Sequence, residues 1–567
     1  ANSTPRYVGP PQGRNRDRPP YPVDPIPLPS GTESKLYSTF NGDNIGRDEV
    51  VYVGANDGML HAFDANSGRE RFAYVPNIIM DDLYEFTLPG YDHKMSVDGS
   101  PGINDVYIKD ARAAGKSHWR TILMGGLRAG GMGYYALDIT KPETFSKDNV
   151  LWEFTAANDS RLGYTFSTPN LVMSNAKDSE GNQRWIALFG NGYNNPAAAN
   201  SGLFALFLDQ GEDTTWDVAD PQVDWRFIDT GTSGVSVTNG LGTPRAVDND
   251  GNGTVDYVYA GDLEGNLYRF DLTSPTPSSW TVAKLFTATG PSGARQPITV
   301  QPIVSKVIIS TTKTSGTKTT TTHTAKPGLL INVSTGSWMA KRDLDYATAN
   351  VESIYGIWDH APTAAPPLIA RDELVTQAFT NVTDPLNGYY YRTLSANLVE
   401  YNSTAKGATK RVMGWKLDLD LGYKGEKAIR NLLVKDGVLF GTTIIPSSNS
   451  ACMNAPGGFL FSMDAQTGGS MQEKPAFDLN GDGVFDDKDY VDVDVDGDGD
   501  GVYDFNDFAA AIRIEDGLPS DIAVIDGGAN DGSKVCYQTS SGELICTTVN
   551  VDSKFKEGRM SWKELSN

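Results

Sequence analysis

A short phrase recurs along this chain, made of a glycine, a short and mostly apolar run, and a closing aspartate. The run indicates a buried β-strand, and the aspartate favours a turn because its side chain accepts hydrogen bonds from nearby backbone amides. The seven copies predict seven strand-and-turn units, the number of blades in a seven-bladed β-propeller. The copies end at Asp64, Asp138, Asp209, Asp271, Asp359, Asp418 and Asp464.

The spacing between the copies predicts that long loops decorate the blades. Successive closing aspartates lie between 46 residues (Asp418 to Asp464) and 88 residues (Asp271 to Asp359) apart, whereas a common propeller blade has about 40–45 residues. We therefore expect residues 34–567 to form an all-β, modified seven-bladed β-propeller with long loop insertions. The alternative is a pair of β-sandwiches in which the phrase repeats by chance.

Two segments depart from the blade pattern. Residues 1–33 are rich in Pro and Arg, which predicts an extended N-terminal linker or strap. Residues 310–326 are rich in Thr, and we expect them to form a mobile loop.

The charge and hydropathy of the chain exclude some partners. The formal net charge is −23, whereas binding to phosphates needs a basic stripe, so nucleic acid is not expected. No apolar run reaches the roughly 18 residues that a membrane-spanning helix needs, so we expect no transmembrane segment. Cys536 and Cys546 flank a predicted hairpin, where a disulfide and two unpaired thiols both remain open, and Cys452 has no obvious mate.

The most acidic part of the chain is residues 478–507, which contain twelve Asp and one Lys. The first half of this segment has the spacing of an EF-hand-type calcium loop, in which oxygen ligands alternate along a tight turn around Ca²⁺. Gly483 at position 6 permits the sharp turn, and Val484 at position 7 can offer its carbonyl. The other expected ligands, at positions 1, 3, 5, 9 and 12, are Asp478, Asn480, Asp482, Asp486 and Asp489.

The second half of the acidic segment repeats this spacing, with Gly501 at position 6. Two carboxylates about 4 Å apart repel by about 4 kcal/mol at an effective dielectric near 20, so a cation is expected between them. The connection 490–495 is too short for a flanking helix, which predicts a compact EF-hand-like insert, and the alternative is a solvated loop that binds cations weakly. The expected ligands are Asp496, Asp498, Asp500, Val502, Asp504 and Asp507, and Asp492 and Asp494 offer other registers.

A third candidate calcium loop opens directly into an apolar strand, in the stretch AVDNDGNGTVDYVYAGD. Position 12 is Tyr259, so the bidentate carboxylate usual at that position would have to come from position 9. Position 7 can give either a carbonyl or a hydroxyl oxygen, and the alternative for the whole stretch is a turn without metal. The expected ligands, at positions 1, 3, 5, 7 and 9, are Asp248, Asp250, Asn252, Thr254 and Asp256.

Eight phrases in chain order resemble one known family. They are VVYVGANDGMLHAFDANSGRERFAYVPN (50–77), MSVDGSPGINDVY (95–107), GGMGYYALDIT (130–140), LGYTFSTPNLV (162–172), FGNGYNN (189–195), VDYVYAGDLEGNLYRFDL (255–272), YGIWD (355–359) and GRMSWKEL (558–565). On these phrases the chain resembles the C-terminal domain of the type IV pilus tip-associated protein family PilC/PilY1. The family's N-terminal half is not matched, so we expect the chain to be a C-terminal fragment.

The resemblance implies a modified seven-bladed propeller that is exported to the bacterial cell surface or pilus tip. It implies roles in pilus biogenesis, twitching motility, virulence and adhesion to host cells. The implied partners are pilins or minor pilins, and a host-cell receptor or glycan. In the family, a calcium loop in the propeller governs whether pili extend or retract, and residues 248–256 correspond to it. The acidic segment 478–507 lies outside the family core.

Two other functions compete with this reading. The phrase VYVGANDGMLHAFDANSG also resembles a blade of quinoprotein dehydrogenases, which bind pyrroloquinoline quinone with calcium and share a vicinal Cys pair. No two Cys are adjacent here and no HExxH, GxSxG or Walker phrase occurs, so we predict no enzymatic activity, and His61 is expected to be a packed residue. The other alternative is a glycan-binding propeller, in which aromatic residues of YYYRTL (389–394) and NGYNN stack on sugars.

Overall fold

In the computed structural model the regular secondary structure is almost entirely β-strand. Internal packing divides it into two compact units, one mainly of Ala1–Leu263 and Tyr268–Ala283, the other mainly of Glu264–Leu267 and Lys284–Glu564. The described residues are all except 1, 13–14, 30–31, 111–115, 198, 211–215, 218–222, 235–237, 316–317, 340–342, 344–348, 361–365, 384–389, 405–409, 447–456, 473, 492–507, 516, 527–531 and 552–567.

The first unit carries three four-stranded sheets and most of a fourth. In each sheet the strands are neighbours in chain order, as in a propeller blade. The strands are β1 (Arg6–Val8), β2 (Val50–Gly54), β3 (Leu60–Asp64), β4 (Glu70–Tyr74), β5 (Gly102–Asp110), β6 (Lys116–Gly126), β7 (Gly133–Asp138), β8 (Val150–Thr155), β9 (Asn170–Lys177), β10 (Gln183–Gly190), β11 (Gly202–Phe207), β12 (Trp225–Asp229), β13 (Arg245–Val247), β14 (Tyr257–Gly261), β15 (Asn266–Asp271) and β16 (Thr281–Thr287).

The second unit contains sheets of five, six and three strands and a separate two-stranded ribbon. The sheet orders are β17-β20-β21-β25-β22, β23-β24-β29-β28-β27-β26 and β30-β31-β32, and the ribbon is β18-β19. The strands are β17 (Ile303–Ser305), β18 (Ile308–Ser315), β19 (Lys318–Ala325), β20 (Leu329–Ser334), β21 (Ser353–Asp359), β22 (Leu374–Gln377), β23 (Phe379–Thr383), β24 (Tyr390–Leu394), β25 (Gly414–Asp418), β26 (Leu433–Lys435), β27 (Val438–Thr442), β28 (Gly458–Asp464), β29 (Ala511–Ile514), β30 (Ala523–Ile525), β31 (Ser533–Gln538) and β32 (Leu544–Val549).

Helices are few and short in the described part of the chain. The α-helix α1 (Tyr37–Asp43) buries Tyr37 against Trp119 of β6, with ring centroids 5.0 Å apart. No helix among the described residues is long and apolar enough to cross a membrane. The 3₁₀ helices are Asn77–Thr87, Pro142–Thr144, Lys147–Asn149, Pro277–Ser279, Arg371–Glu373 and Asp487–Asp489.

Several copies of the recurring phrase form strands that are covered on both faces. Every residue of β7 and of β11 is buried, whereas β2 alternates between buried and half-buried positions. A strand that lies between two neighbouring sheets has no solvent face and therefore reads as a continuous apolar run. Aromatic rings from successive sheets meet there: the rings of Tyr134 and Phe189 lie 4.3 Å apart, and those of Phe154 and Phe204 lie 5.8 Å apart.

The number of blades agrees with the number of phrases, although the two do not correspond one to one. The described residues form seven sheets of three or more strands. The fifth and sixth copies of the phrase lie in β21 and β25, which pair in one sheet, and the last sheet, β30–β32, holds no copy. The phrase therefore marks a buried strand with a polar end, and it does not mark a fixed position within a blade.

The closing aspartates end their strands in two ways. Four of them accept a backbone amide from two residues further on, as predicted for a turn: Asp64, Asp138, Asp271 and Asp464. Asp209 and Asp418 form ion pairs with Arg184 (2.6 Å) and Arg371 (2.7 Å). Asp64 and Asp138 add ion pairs with arginines to their turn contacts.

Two of the segment predictions differ from the structure. Residues 1–33 were expected to lie outside the propeller, but β1 pairs with β2 as the edge strand of the first sheet, because its backbone completes the ladder of β2. Residues 310–326 were expected to form a loop, but β18 and β19 pair in register from Ile308 with Ala325 to Ser315 with Lys318. The β-branched Thr residues of this segment favour an extended strand, and its mobility stays a prediction.

The cysteine pair that the sequence left open is a disulfide. Cys536 in β31 and Cys546 in β32 are direct partners in the ladder and are bonded to each other. Cys452 lies outside the described residues.

Candidate metal centre

The loop 248–256 connects two strands of the fourth sheet, β13 and β14. The amide of Asp256 donates to the carbonyl of Val247 at 2.9 Å, which closes the base of the loop. Gly251 and Gly253 have φ angles of +77° and +104°, in the region that favours glycine. The two glycines therefore keep the loop tight by adopting backbone conformations that other residues reach only with strain.

Backbone amides converge on the first and last carboxylates of this loop. Asp248 accepts hydrogen bonds from the amides of Gly251 (2.7 Å), Asn252 (3.1 Å) and Gly253 (2.8 Å). Asp256 accepts from the amides of Asn249 (2.8 Å) and Asp250 (3.3 Å). The chain is thus curled around two carboxylates, which brings the side chains of alternate residues towards one centre.

Three carboxylates meet at this centre. One oxygen from each of Asp248, Asp250 and Asp256 lies within 4.8 Å of the others. Asp256 is buried, and its burial together with the charges of Asp250 and Asp248 raises its pKa to about 6, against the lowering effect of the two amides. Such a concentration of negative charge favours a cation, and an all-oxygen donor set fits a hard divalent ion such as Ca²⁺.

The structure specifies which oxygen of Thr254 is available. Its hydroxyl lies 2.8 Å from Oδ1 of Asn175 and 2.6 Å from Oδ1 of Asn252, so the hydroxyl is engaged in hydrogen bonds. Of the two oxygens that the sequence offered at position 7, the backbone carbonyl is therefore the better candidate ligand.

Two residues that contact the loop were not predicted from the sequence. Asn175 in β9 donates from Nδ2 to the carbonyls of Val255 (2.9 Å) and Leu272 (3.2 Å), which fixes the downstream end of the loop. The ring of Tyr21 lies against Gly253. Both residues are far from the loop in sequence and belong to no motif, so no local signal could have identified them.

The first half of the acidic segment repeats the hydrogen-bond pattern of loop 248–256. Asp478 at position 1 accepts from the amides three and five residues on, Gly481 (2.7 Å) and Gly483 (3.0 Å), as Asp248 does in its own loop. Asp489 at position 12 accepts from Leu479 at 2.8 Å and takes the place that Asp256 has at position 9. Asp489 is fully buried.

The remaining carboxylates of this loop are less concentrated. Asp482 accepts from the amide of Val484 at 2.8 Å, and Asp486 accepts from that of Lys488 at 3.0 Å. Nζ of Lys488 lies 3.7 Å from Asp482 and 4.0 Å from Asp486. Within the described ranges, only Asp248, Asp250 and Asp256 form a group of three acidic residues close enough to hold a metal ion.

The second half of the acidic segment falls within residues 492–507, which lie outside the described residues. The ligands predicted there, Asp496, Asp498, Asp500, Val502, Asp504 and Asp507, therefore stay a prediction.

The packing of His61 and of the aromatic residues proposed to bind glycans bears on the two alternative functions. His61 in β3 is partly buried, lies 3.0 Å from Asp57 through Nε2, and stacks on Phe63, as expected of a packed residue. Of the aromatic residues proposed to bind glycans, Tyr193 is 2% and Tyr391 is 8% exposed. Buried rings cannot stack on a sugar, so among the described residues the glycan hypothesis is left with Tyr390, which is 47% exposed.

Comparisons with a family model and with known proteins agree on one family. The family model of the PilY1 beta-propeller domain matches residues 21–383. The type IV pilus biogenesis factor PilY1 of Pseudomonas aeruginosa (strain UCBPP-PA14) is 31% identical over 86% of this chain and 40% of its own length. A PilY1 homologue of Xylella fastidiosa is 33% identical over 74% of this chain and 26% of its own length. The chain thus spans less than half the length of these relatives.

A solved structure supports the same assignment. The C-terminal domain of Pseudomonas aeruginosa PilY1 aligns over 91% of this chain and 95% of its own length, with 28% sequence identity and a TM-score of 0.65. The predicted fold class, an all-β modified seven-bladed propeller with long insertions, is confirmed, whereas the calcium loops within it stay predictions. On the match to more than half of its length, the chain belongs to the PilY1 β-propeller family.

Proposed function

We propose that this chain is a calcium-binding domain of a type IV pilus-associated protein and that loop 248–256 holds the Ca²⁺ ion. The observation that carries the proposal is the convergence of three carboxylates within 4.8 Å, one of them the buried Asp256. The expected ligands are Asp248, Asp250 and Asp256 with the side-chain oxygen of Asn252 and the carbonyl of Thr254. These supply oxygen donors only, in a loop already curled by its own backbone.

The biological role that we propose is control of pilus biogenesis at the cell surface or pilus tip. The matched relatives are named as type IV pilus biogenesis factors, which supports this role and supports a protein that is not an enzyme. The Cys536–Cys546 disulfide is in keeping with an exported protein, because disulfides persist in oxidising compartments. In this role, calcium at loop 248–256 sets pilus extension or retraction and twitching motility through contacts with pilins or minor pilins.

Host-cell adhesion and virulence are part of the same proposal, with a surface receptor or glycan as partner. Binding of the purified domain to host cells, with and without a glycan competitor, tests this part. Binding that is unchanged when Tyr390 is replaced by Ala would exclude the exposed aromatic residue as the contact.

We also propose a second calcium ion in loop 478–489, with Asp478, Asn480, Asp482, Asp486, Asp489 and the carbonyl of Val484 as ligands. The support is the shared pattern in which the first and last carboxylates accept amides at both loops. The segment 496–507 is proposed as a third site on its spacing alone.

Isothermal titration of Ca²⁺ into chelator-stripped protein tests these sites. Asp256→Asn should abolish binding at loop 248–256, and Asp482→Asn, at an exposed position, should weaken only the acidic-segment site. The matched control is Asp229→Asn, an exposed aspartate of the third sheet, which should bind like the wild type. Wild-type protein that takes up no calcium, or an Asp256→Asn variant that retains every site, would refute the assignment of loop 248–256.

The biological role needs a separate measurement in the encoding bacterium, with the full-length protein. Asp256→Asn should change the number of surface pili and the twitching zone, whereas Asp229→Asn should change neither. Normal piliation and twitching with Asp256→Asn would refute the proposal that calcium at loop 248–256 controls pili.

A further inference from the structure

The N-terminal segment reaches the candidate calcium loop through one side chain. Residues 16–24, here called the strap, run along the surface of the first unit. Arg16 to Pro19 are exposed, whereas Tyr21 is half-buried and Pro22 is buried. Tyr21 also packs against the large apolar core of the second and third sheets. Tyr21 and Pro22 are thus the strap's packing contacts, while Asp17 and Asp24 accept hydrogen bonds from residues 34–38.

The contact of Tyr21 with the loop is direct. A methyl group built on Gly253 would lie 2.9 Å from the phenol oxygen and 3.0 Å from Cε2 of Tyr21, so the ring occupies the space that a side chain would take. The amide of Gly253 in turn donates to the carboxylate of Asp248 at 2.8 Å. One peptide unit thus separates the strap from a proposed calcium ligand.

Charges of both elements also reach the phenol. Burial raises the pKa of Tyr21, the guanidinium of Arg16 lowers it, and the carboxylate of Asp248 raises it. The phenol is therefore subject to opposite electrostatic effects from a cation of its own segment and a carboxylate of the loop.

We propose that Tyr21 couples the strap to the calcium loop, so that calcium binding at residues 248–256 fastens the strap and the strap in turn raises the affinity of the loop for calcium. This inference rests on the calcium site proposed above. Repulsion among the three carboxylates destabilises the curled loop, and a bound cation removes this repulsion and so stabilises the surface on which the ring of Tyr21 packs. Because coupling between two sites is reciprocal, both effects must have the same magnitude.

Tyr21 is thus a positioning residue, which acts on calcium through the backbone of Gly253. The contact with Gly253 involves the phenol oxygen and also Cε2 and Cζ of the ring edge, and the ring-edge contact is the part that we propose to matter. A phenylalanine should preserve this contact, and an alanine should remove it. A purely structural role of Tyr21 would lower thermal stability without changing calcium affinity.

The test combines calcium titration with limited trypsin digestion of the chelator-stripped protein. Trypsin can cut after the exposed Arg16, whereas Arg18 is protected by the proline that follows it. We expect calcium to slow the cut after Arg16 in the wild type and not in Asp256→Asn. Tyr21→Ala should weaken calcium binding at loop 248–256 by about 5- to 10-fold, a typical coupling, and should abolish the protection by calcium. Tyr21→Phe should restore both.

The outcomes distinguish this inference from the calcium site itself. If the wild type binds no calcium at loop 248–256, the proposed function fails. If the wild type binds calcium there, but Tyr21→Ala binds equally tightly and the cut after Arg16 proceeds at the same rate with and without calcium, the coupling is refuted and the calcium site stands. If Tyr21→Ala does not fold, the digestion of wild type and Asp256→Asn still tests the coupling. Calcium should then slow the cut after Arg16 in the wild type alone, and an equal rate with and without calcium in the wild type refutes the coupling. The matched control is Val23→Ala, an exposed strap residue, which should behave like the wild type.

Discussion

Glu352 should make the stability of the second unit fall as the pH rises. Its carboxyl group is buried, and Oε2 has no hydrogen-bond partner among the described residues. Burial raises the pKa of this group from 4.5 to about 7, against the lowering effects of the Thr335 hydroxyl and of Lys427 and with a raising effect of Asp343. The folded protein therefore holds a proton that the unfolded chain releases.

The sign and size of the effect follow from this difference. Between pH 4.5 and pH 7 the folded state binds more protons than the unfolded state, so the free energy of unfolding decreases as the pH rises. The contribution is complete below pH 4.5 and is lost once the pH has passed the folded-state value of about 7. At about 1.36 kcal/mol per pH unit, the loss amounts to up to about 3 kcal/mol.

The variant Glu352→Gln isolates this contribution, because its amide is neutral at every pH. Thermal unfolding should give similar melting temperatures for variant and wild type near pH 4.5 and a higher melting temperature for the variant at pH 8. The free energy of unfolding of the variant at pH 8 should exceed that of the wild type by up to about 3 kcal/mol. Glu400→Gln, at an exposed glutamate of the same unit, is the matched control and should show no such trend. A constant difference between Glu352→Gln and wild type at all pH values would refute the reasoning.

Two further predictions concern the second unit. Glu426→Ala should destabilise the protein by about 3–5 kcal/mol, because it leaves the buried guanidinium of Arg392 without the carboxylate that now lies 2.8 Å away; Asp372→Ala, which breaks an exposed ion pair, should leave the melting temperature unchanged. Cys536→Ser should cost about 2–3 kcal/mol through loss of the ten-residue cross-link to Cys546. A reducing agent should lower the melting temperature of the wild type and have no effect on Cys536→Ser.

The strand pattern of the sequence predicted the class of fold because buried strands have a local signature. Each copy of the Gly–apolar–Asp phrase is a strand, since continuous apolar runs occur where both faces of a strand are covered. The assignment of strands to sheets was not predictable in the same way. The copies ending at Asp359 and Asp418 share a sheet although β22, β23 and β24 lie between them in the chain, and pairing over such distances has no local signal.

The candidate metal centre was also predictable only in part, because its proposed ligands lie in one short stretch and its supporting contacts come from residues far away in sequence. The ligand spacing of residues 248–256 and the two glycines were visible in the sequence, because a calcium loop is built within one short stretch. The contacts of Asn175 and Tyr21 come from other strands and from the N-terminal segment, so only the folded chain reveals them. The ambiguity at Thr254 was resolved by its hydroxyl's partner, Asn175, which lies 79 residues away in sequence.

The ribbon of β18 and β19 has a consequence for self-association. Among the described residues neither of its strands joins a third, so each presents an outer row of backbone donors and acceptors. Open edges of this kind template the addition of strands from other molecules, and natural proteins guard them with charged side chains. The sequence of the ribbon carries Lys313 and Lys318, and replacing both by neutral residues should remove charge that opposes such association.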